Sequence, residues 1–232
     1  MLSCLTLRRV TEAVAEALLP QRCIVCGRFG SALHRDCIES LSVAAPPRCG
    51  ICWAPVRRDA RQCARCAEHA PAYAHLRAPF RFTAETRRAL LEAKFRGVTK
   101  LIEPLASAAA RAVPLHWRID AVVPIPLHRS RERRRGFNQA EIAARVVARD
   151  LDVPLARSLL RRVRETPPQA SLSAGRRATN LRGAFAVTEE PPERVLLVDD
   201  VTTTGSTFDE AAGVLRRAGV ATVYALAIGR ED

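Results

Sequence analysis

The chain has 232 residues, 48% of them hydrophobic and 26% charged, which excludes a disordered chain and suits one ordinary core plus a small extra module. No stretch approaches the roughly 20 uncharged apolar residues of a spanning helix. Arg8, Arg9, Glu12 and Glu16 break up the start that a secretory signal would need, so the reading is a soluble, cytoplasmic chain without membrane insertion.

Residues 2–19 place Leu2, Leu5, Leu7, Val10, Val14, Leu18 and Leu19 at helical spacing up to Pro20, which predicts a packed N-terminal helix over residues 1–20. Residues 21–70 form a different unit. Three C-x-x-C pairs occur, Cys23/Cys26, Cys49/Cys52 and Cys63/Cys66, and a fourth pair reads His34-Arg-Asp-Cys37. Four ligand pairs are what two tetrahedral zinc ions require, because each pair forms a knuckle presenting two donors to one metal. Disulfides are the alternative, and a chain without an export signal disfavours them. Sequential pairing assigns Cys23, Cys26, His34 and Cys37 to one ion and Cys49, Cys52, Cys63 and Cys66 to the other. Cross-braced pairing would join alternate pairs. The intervening gaps, residues 27–33 and 53–62, suit two consecutive ribbons and favour the sequential scheme. With four ligands each, both sites are structural. His34 as a plain surface histidine is the alternative for the first site. Cys4 and His69 fall outside the pattern.

From residue 71 to 232 strands and helices alternate, which predicts an α/β domain with a mostly parallel sheet flanked by helices. The expected strands are Ala78 to Phe82, Ile119 to Val123, Val195 to Val198 and Ala221 to Ile228. The expected helices are Thr83 to Phe95 with Thr83 as cap, then 99–113, 136–150 and 206–218. Residues 166–180 read as a long functional loop. In such folds ligands bind at the carboxyl ends of the strands.

Charge follows the same division. Residues 1–117 carry 18 basic and 9 acidic side chains, residues 118–182 carry 15 and 6, and residues 183–232 carry 4 and 9. The basic first two thirds of a chain with net charge +13 point to an anionic partner. Arg129, Arg131, Arg133, Arg134 and Arg135 place five cations within seven residues. Arg133, Arg134 and Arg135 are therefore candidates for contacting single-stranded DNA, with the pyrophosphate of a ligand or the acidic final third as alternative partners.

The most informative segment is Val195-Leu-Leu-Val-Asp-Asp-Val-Thr-Thr-Thr-Gly-Ser-Thr207. A buried strand delivers Asp199 and Asp200. Thr203, Thr204, Gly205, Ser206 and Thr207 can then wrap a phosphate with backbone amides, hydroxyls and the positive end of the following helix. The carboxylates are placed for the hydroxyls of a sugar attached to that phosphate. A Walker B reading fails, since neither Lys94 nor Lys100 sits in a Gly-Lys-Ser/Thr element, and no G-x-G-x-x-G occurs. The run resembles the phosphoribosyl-pyrophosphate (PRPP) motif of type I phosphoribosyltransferases. Val123-Pro-Ile-Pro-Leu-His-Arg129 stands where those enzymes hold pyrophosphate.

The whole chain resembles the ComF (ComFC/GntX-like) family of competence proteins. The resemblance rests on the cysteine pairs, Lys94-Phe-Arg-Gly97, Val123-Pro-Ile-Pro126, Arg135-Gly-Phe-Asn-Gln139, Gln169 to Asn180 and the Asp-Asp-Val-Thr-Thr-Thr-Gly run. His34 departs from it, standing where the family has Cys. It implies a type I phosphoribosyltransferase fold with an N-terminal double zinc ribbon. It also implies a cytosolic role in natural transformation, handling incoming single-stranded DNA, with a competence helicase as partner. PRPP would bind with Mg²⁺, Asp199 and Asp200 would stabilise a ribosyl cation, and Arg129, Arg176 and Arg177 would hold the leaving pyrophosphate. Two functions follow. One is binding without turnover, and the other is an active phosphoribosyltransferase of base or nucleotide salvage with no acceptor legible in the chain.

Overall fold

A computed structural model describes residues 21–96, 99–165, 181 and 183–232. The expected helix over residues 1–20, and the loop 166–180 with Arg176 and Arg177, lie outside the described residues. Among those described, no helix is long and apolar enough to cross a membrane.

Two short helices, α1 (Arg35–Glu39) and α2 (Ala64–Glu68), belong to the cysteine-rich segment. Then come β1 (His75–Arg77), β2 (Phe80–Arg81), α3 (Ala84–Arg96), α4 (Ile102–Ala110), β3 (Ala121–Pro124), α5 (Arg129–Arg135) and α6 (Gln139–Leu151). The chain closes with β4 (Leu160–Arg162), β5 (Phe185–Val187), β6 (Arg194–Thr202), α7 (Ser206–Arg217) and β7 (Thr222–Arg230). The main sheet runs β1-β7-β6-β3, with β2 continuing the β1 edge further along β7, and every pairing in it is parallel. The antiparallel pair β4–β5 stands apart.

The expected α/β class is therefore what the chain adopts, a parallel sheet flanked by helices with a small cysteine-rich segment before it. Its central strands are continuous apolar runs because both faces are covered. Val195 and Leu197 lie in one apolar cluster with Val123, Phe208 and Leu215, whereas Leu196 and Val198 lie in another with Ile102, Leu105, Ala143 and Val147. The cysteines divide the same way: Cys23 and Cys37 join the second of these clusters, and Cys49, Cys52 and Cys66 join the first. Leu197 is fully buried. Leu197→Ala should lower stability in urea denaturation by about 3 kcal/mol, the usual cost of a void in a closed core.

Several boundaries differ from the sequence expectation for identifiable reasons. Of the strand expected over 78–82 only β2 at Phe80–Arg81 forms, and a further strand, β1 at His75–Arg77, precedes it; Pro79, which has no N–H to donate, lies between the two. The helix over 99–113 is a 3-10 turn at Thr99–Leu101 followed by α4, and it loosens beyond Ala110. The helix over 136–150 begins at Gln139. Gly136, with φ 83°, closes α5, and the Asn138 side chain caps α6 by accepting from the Ala140 amide. The strand at 195–198 continues to Thr202, so Asp199 and Asp200 stand on β6 itself. The β4–β5 pair was not anticipated, since three-residue strands show no legible alternation.

Candidate functional site

The eight predicted metal ligands form two groups. Cys23, Cys26, His34 and Cys37 make one, and Cys49, Cys52, Cys63 and Cys66 the other, with the ligand atoms of each group within 4.8 Å of one another. The sequential pairing is thus the one the fold produces. Donors about 2.3 Å from a tetrahedral zinc lie roughly 4 Å apart, so both groups fit that ion. The first knuckle turns at Gly27, with φ 72°, and the second at Trp53, with φ 62°, each directly after the second cysteine of its pair. His34 behaves as a ligand would: Nδ1 is 3.5 Å from Cys26 Sγ while Nε2 faces the Phe29 carbonyl at 3.2 Å. That contact orients a metal-binding imidazole.

Thiol electrostatics suit a bound dication. Arg28, whose Nε donates to Cys26 Sγ at 3.4 Å, holds that thiol down at about 6. Burial raises the Cys49 thiol, but hydrogen bonding to the backbone at Cys52 and Cys63 outweighs it and brings the group to about 7. Burial and then neighbouring thiolates push Cys37 up to about 11, and they push Cys66 up as well. Three thiols in the first group and four in the second, this close together, cannot all ionise without a cation between them.

The second site is a cleft of about 490 Å³ at the carboxyl end of the sheet. β6 delivers Asp199, half-buried, and Asp200, buried. Asp199 Oδ1 accepts from the Asp200 amide at 2.8 Å, and Asp200 Oδ1 from the Val201 amide at 3.0 Å, which fixes both rotamers. Thr203, Gly205, Ser206 and Thr207 line the same cleft. Thr204 is beside them, its hydroxyl donating to Ser206 Oγ at 3.0 Å and accepting from the Ser206 amide. Gly205 holds φ 80° and, as the residue before α7, offers no side chain to the first-turn amides. The positive end of α7 therefore opens on the cleft. Two carboxylates on a rigid strand are the hard oxygen donors Mg²⁺ prefers, so this pair fits that ion as well as sugar hydroxyls.

The opposite wall is basic. α5 carries arginines on two faces: Arg131, Arg134 and Arg135, at i, i+3 and i+4, line the cleft, whereas Arg129 and Arg133 are exposed and outside the lining. Arg134 and Arg135, expected to contact DNA, thus share a cavity with the aspartates. Arg162 of β4 joins them. Burial pulls the Arg162 guanidinium below its usual value, Arg131 pulls it the same way and Asp199 opposes; for Arg135, burial leads and Asp200 opposes. Crowded cations of this kind favour an anionic ligand. Arg135 donates to Gln139 Oε1 at 2.7 Å, and the buried Gln139 amide nitrogen has no hydrogen-bond partner. Asn138 donates to the Ile125 carbonyl at 3.1 Å, tying the start of α6 to the loop after β3. Ser130, donating to Glu165 at 2.7 Å, ties α5 to the residues after β4.

Sequence reasoning missed Arg131, Arg162 and Gln139. His128 and Gly136, flanking the basic run, were the available signal that 129–135 is a helix with one inward face. Nothing local could have brought Arg162 to the cleft.

The chain is 30% identical over 221 residues to competence protein F of Haemophilus influenzae, covering 90% of this chain and 96% of that protein. It is 33% identical over 189 residues to the DNA utilization protein YhgH of Salmonella typhimurium, covering 78% and 82%. The YhgH protein of Escherichia coli K12 is 32% identical over 186 residues, covering 76% and 80%. No protein-family model matches the chain. Among solved structures, it superposes on the glutamine PRPP amidotransferase of B. subtilis with a TM-score of 0.37 at 20% identity, over 55% of this chain and 26% of that one. Orotate phosphoribosyltransferase from Aeropyrum pernix gives a TM-score of 0.32 at 20% identity, over 62% and 76%.

Proposed function

The chain belongs to the family of competence protein F and the DNA utilization protein YhgH, and from that premise we propose that it binds PRPP with Mg²⁺ in the cleft and handles single-stranded DNA in the cytoplasm. The observation that carries this reading is a single one. The aspartate pair of β6 and the positive end of α7 face the arginines of α5 across one cavity. The 5-phosphate of the ligand would lie against residues 203–207, and its ribose hydroxyls against Asp199 and Asp200. Bound Mg²⁺ would supply charge neutralisation between the pyrophosphate and the ribose.

The arginine wall gives specific support to a second reading, phosphoribosyl transfer. As the bond from ribose C1 to pyrophosphate lengthens, negative charge grows on the departing oxygens and positive charge on the ring. Arg131, Arg134, Arg135 and Arg162 would stabilise the first, and Asp199 and Asp200 the second. The predicted roles of Arg129, Arg176 and Arg177 at the pyrophosphate remain part of this proposal. Pyrophosphate release from PRPP, assayed with candidate bases and amines in the presence and absence of single-stranded DNA, separates turnover from binding.

Because Arg134 and Arg135 line the cleft, DNA phosphates and PRPP would use the same cations. Labelled single-stranded DNA is therefore expected to be displaced by Mg²⁺–PRPP. Arg134→Ala with Arg135→Ala should weaken DNA binding and flatten its log–log salt slope by about 1.4, at roughly 0.7 per phosphate contact on a single strand. Arg133→Ala, on the outer face of α5, should lose affinity without changing the competition. Undiminished DNA binding at saturating PRPP would place the strand elsewhere on the protein.

A further inference from the structure

The second cysteine cluster is joined to both ends of the phosphate-binding loop. At the start of the loop, Arg230 at the end of β7 donates to the Cys52 carbonyl at 2.9 Å and pairs with Asp232 at 3.1 Å. Asp232 also holds Arg48, the residue before Cys49, at 2.7 Å, and both Arg side chains are almost fully buried. Arg230 is the β-register partner of Thr202, and the next amide, of Glu231, donates to the Thr202 carbonyl at 2.9 Å. At the end of the loop stands Tyr73, only 2% exposed and in the same apolar cluster as Cys49, Cys52, Cys66 and Phe208. Its hydroxyl lies so close to Gly205 that a Cβ there would sit 2.7 Å from it. The amide of the preceding residue, Ala72, donates to Asp209 in the first turn of α7 at 2.7 Å. The knuckle itself is stitched to the sheet edge, Leu76 N–H donating to the Ile51 carbonyl at 2.6 Å.

We propose that Tyr73 and Arg230 are positioning residues that carry the rigidity of the second metal cluster to the two ends of the 203–205 loop, so that this cluster, and not the first, sets the readiness of the cleft for a phosphate ligand. The physical basis is preorganisation: an anion cradle made of backbone amides binds only as well as those amides are held in place. A loop of three residues anchored at Thr202 and Gly205 has little freedom when both anchors are fixed, and much more when either is released. The first cluster has no such part, since its cysteines pack with the opposite face of the sheet. The ligand side of this proposal rests on the PRPP reading given above, whereas the brace itself is a statement about the loop.

The test uses the full chain with its zinc. Tyr73→Leu and Arg230→Met are compared with wild type and with Cys26→Ser, which damages the first cluster. Zinc content, amide hydrogen exchange over residues 203–207 and Mg²⁺–PRPP affinity by calorimetry are read for each. Tyr73→Leu and Arg230→Met should keep the wild-type zinc content and exchange normally in β6, yet exchange faster in the loop and bind PRPP about tenfold more weakly, within the usual range for coupled sites. Cys26→Ser should leave the loop's exchange unchanged and the affinity within about twofold. A contact-specific measurement adds to this. Gly205→Ala should perturb loop exchange more in wild type than in the Tyr73→Leu background, because the strain of φ 80° is common to both and only the clash with Tyr73 is removed. Unchanged loop exchange in Tyr73→Leu and Arg230→Met, or equal loosening in Cys26→Ser, overturns the brace. If Tyr73→Leu does not fold, Arg230→Met decides. If wild type binds no PRPP, the ligand reading falls and the exchange comparison still decides the brace.

Discussion

Stripping the metal with a strong chelator is expected to unfold the protein rather than only its cysteine-rich segment. Structural zinc sites contribute about 10 kcal/mol or more to folding in small modules, comparable to the whole stability of an ordinary domain, roughly 5–15 kcal/mol. Here the second cluster is part of the main core. Cys49 and Cys52 are fully buried and Cys66 nearly so, packed with Leu197, Phe208 and Leu215. Without a cation, three buried thiols and the half-buried Cys63 would be left crowded together against the sheet. Elemental analysis of freshly purified, reduced protein should give about two zinc ions per chain, by the count of four ligands per structural site. The far-UV signal and the cooperative melt should both be lost as zinc is removed. Cys63→Ser should lower the melting temperature sharply. Cys26→Ser should do so far less, since Cys26 is exposed at the rim of the first cluster. A content of one zinc, or a chelated protein that still melts cooperatively at the original temperature, would contradict the two-site assignment.

The second large effect concerns the aspartates. Mg²⁺–PRPP at about a hundred times its dissociation constant should stabilise the folded protein by about 2.7 kcal/mol. For a chain of this size that raises the melting temperature by about 5–10 °C. Asp200→Ala should abolish most of the rise, because it deletes a carboxylate whose rotamer is already fixed by the Val201 amide. The deletion also leaves Arg135 without the opposing charge that Asp200 supplies. The informative quantity is the ligand-induced shift within each protein, since the substitution changes baseline stability too. A full shift in Asp200→Ala would remove that residue from the site. No shift in the wild type with either PRPP or ribose 5-phosphate at millimolar concentration would refute the ligand reading.

Legibility in the sequence followed the range of the interactions. Metal ligation is local, because two cysteines three residues apart must form one knuckle whatever surrounds them, and so the ligand pairs could be read directly, whereas the choice between sequential and cross-braced pairing needed the fold. The same holds for β6 and its loop: a buried apolar strand ending in two aspartates, then hydroxyls and a glycine before a helix, is a contiguous device whose parts meet without help from the rest of the chain. The parallel sheet was legible because its strands are buried on both faces and separated by helix-length segments. The arginines divided along the same line. Their clustering at 129–135 is plain in the sequence, but which of them face the ligand depends on where α5 begins and how it lies over the cleft, and that is decided by His128, Ser130 and Glu165 across 35 residues of chain. Arg162, Tyr73 and Arg230 acquire their roles only through tertiary contact: a short strand, a tyrosine just past the cysteines and the last residue of β7 carry no pattern of their own. The sequence alone thus determined which side chains stand together locally, the pairs of metal-ligand residues and the aspartate pair with its hydroxyl-and-glycine loop, because those depend on neighbours within a few residues. Only the tertiary structure decided that the basic run forms a wall of the cleft and that one metal cluster abuts the loop, because parallel crossovers bring together residues far apart in the chain, with no local energy term to announce it.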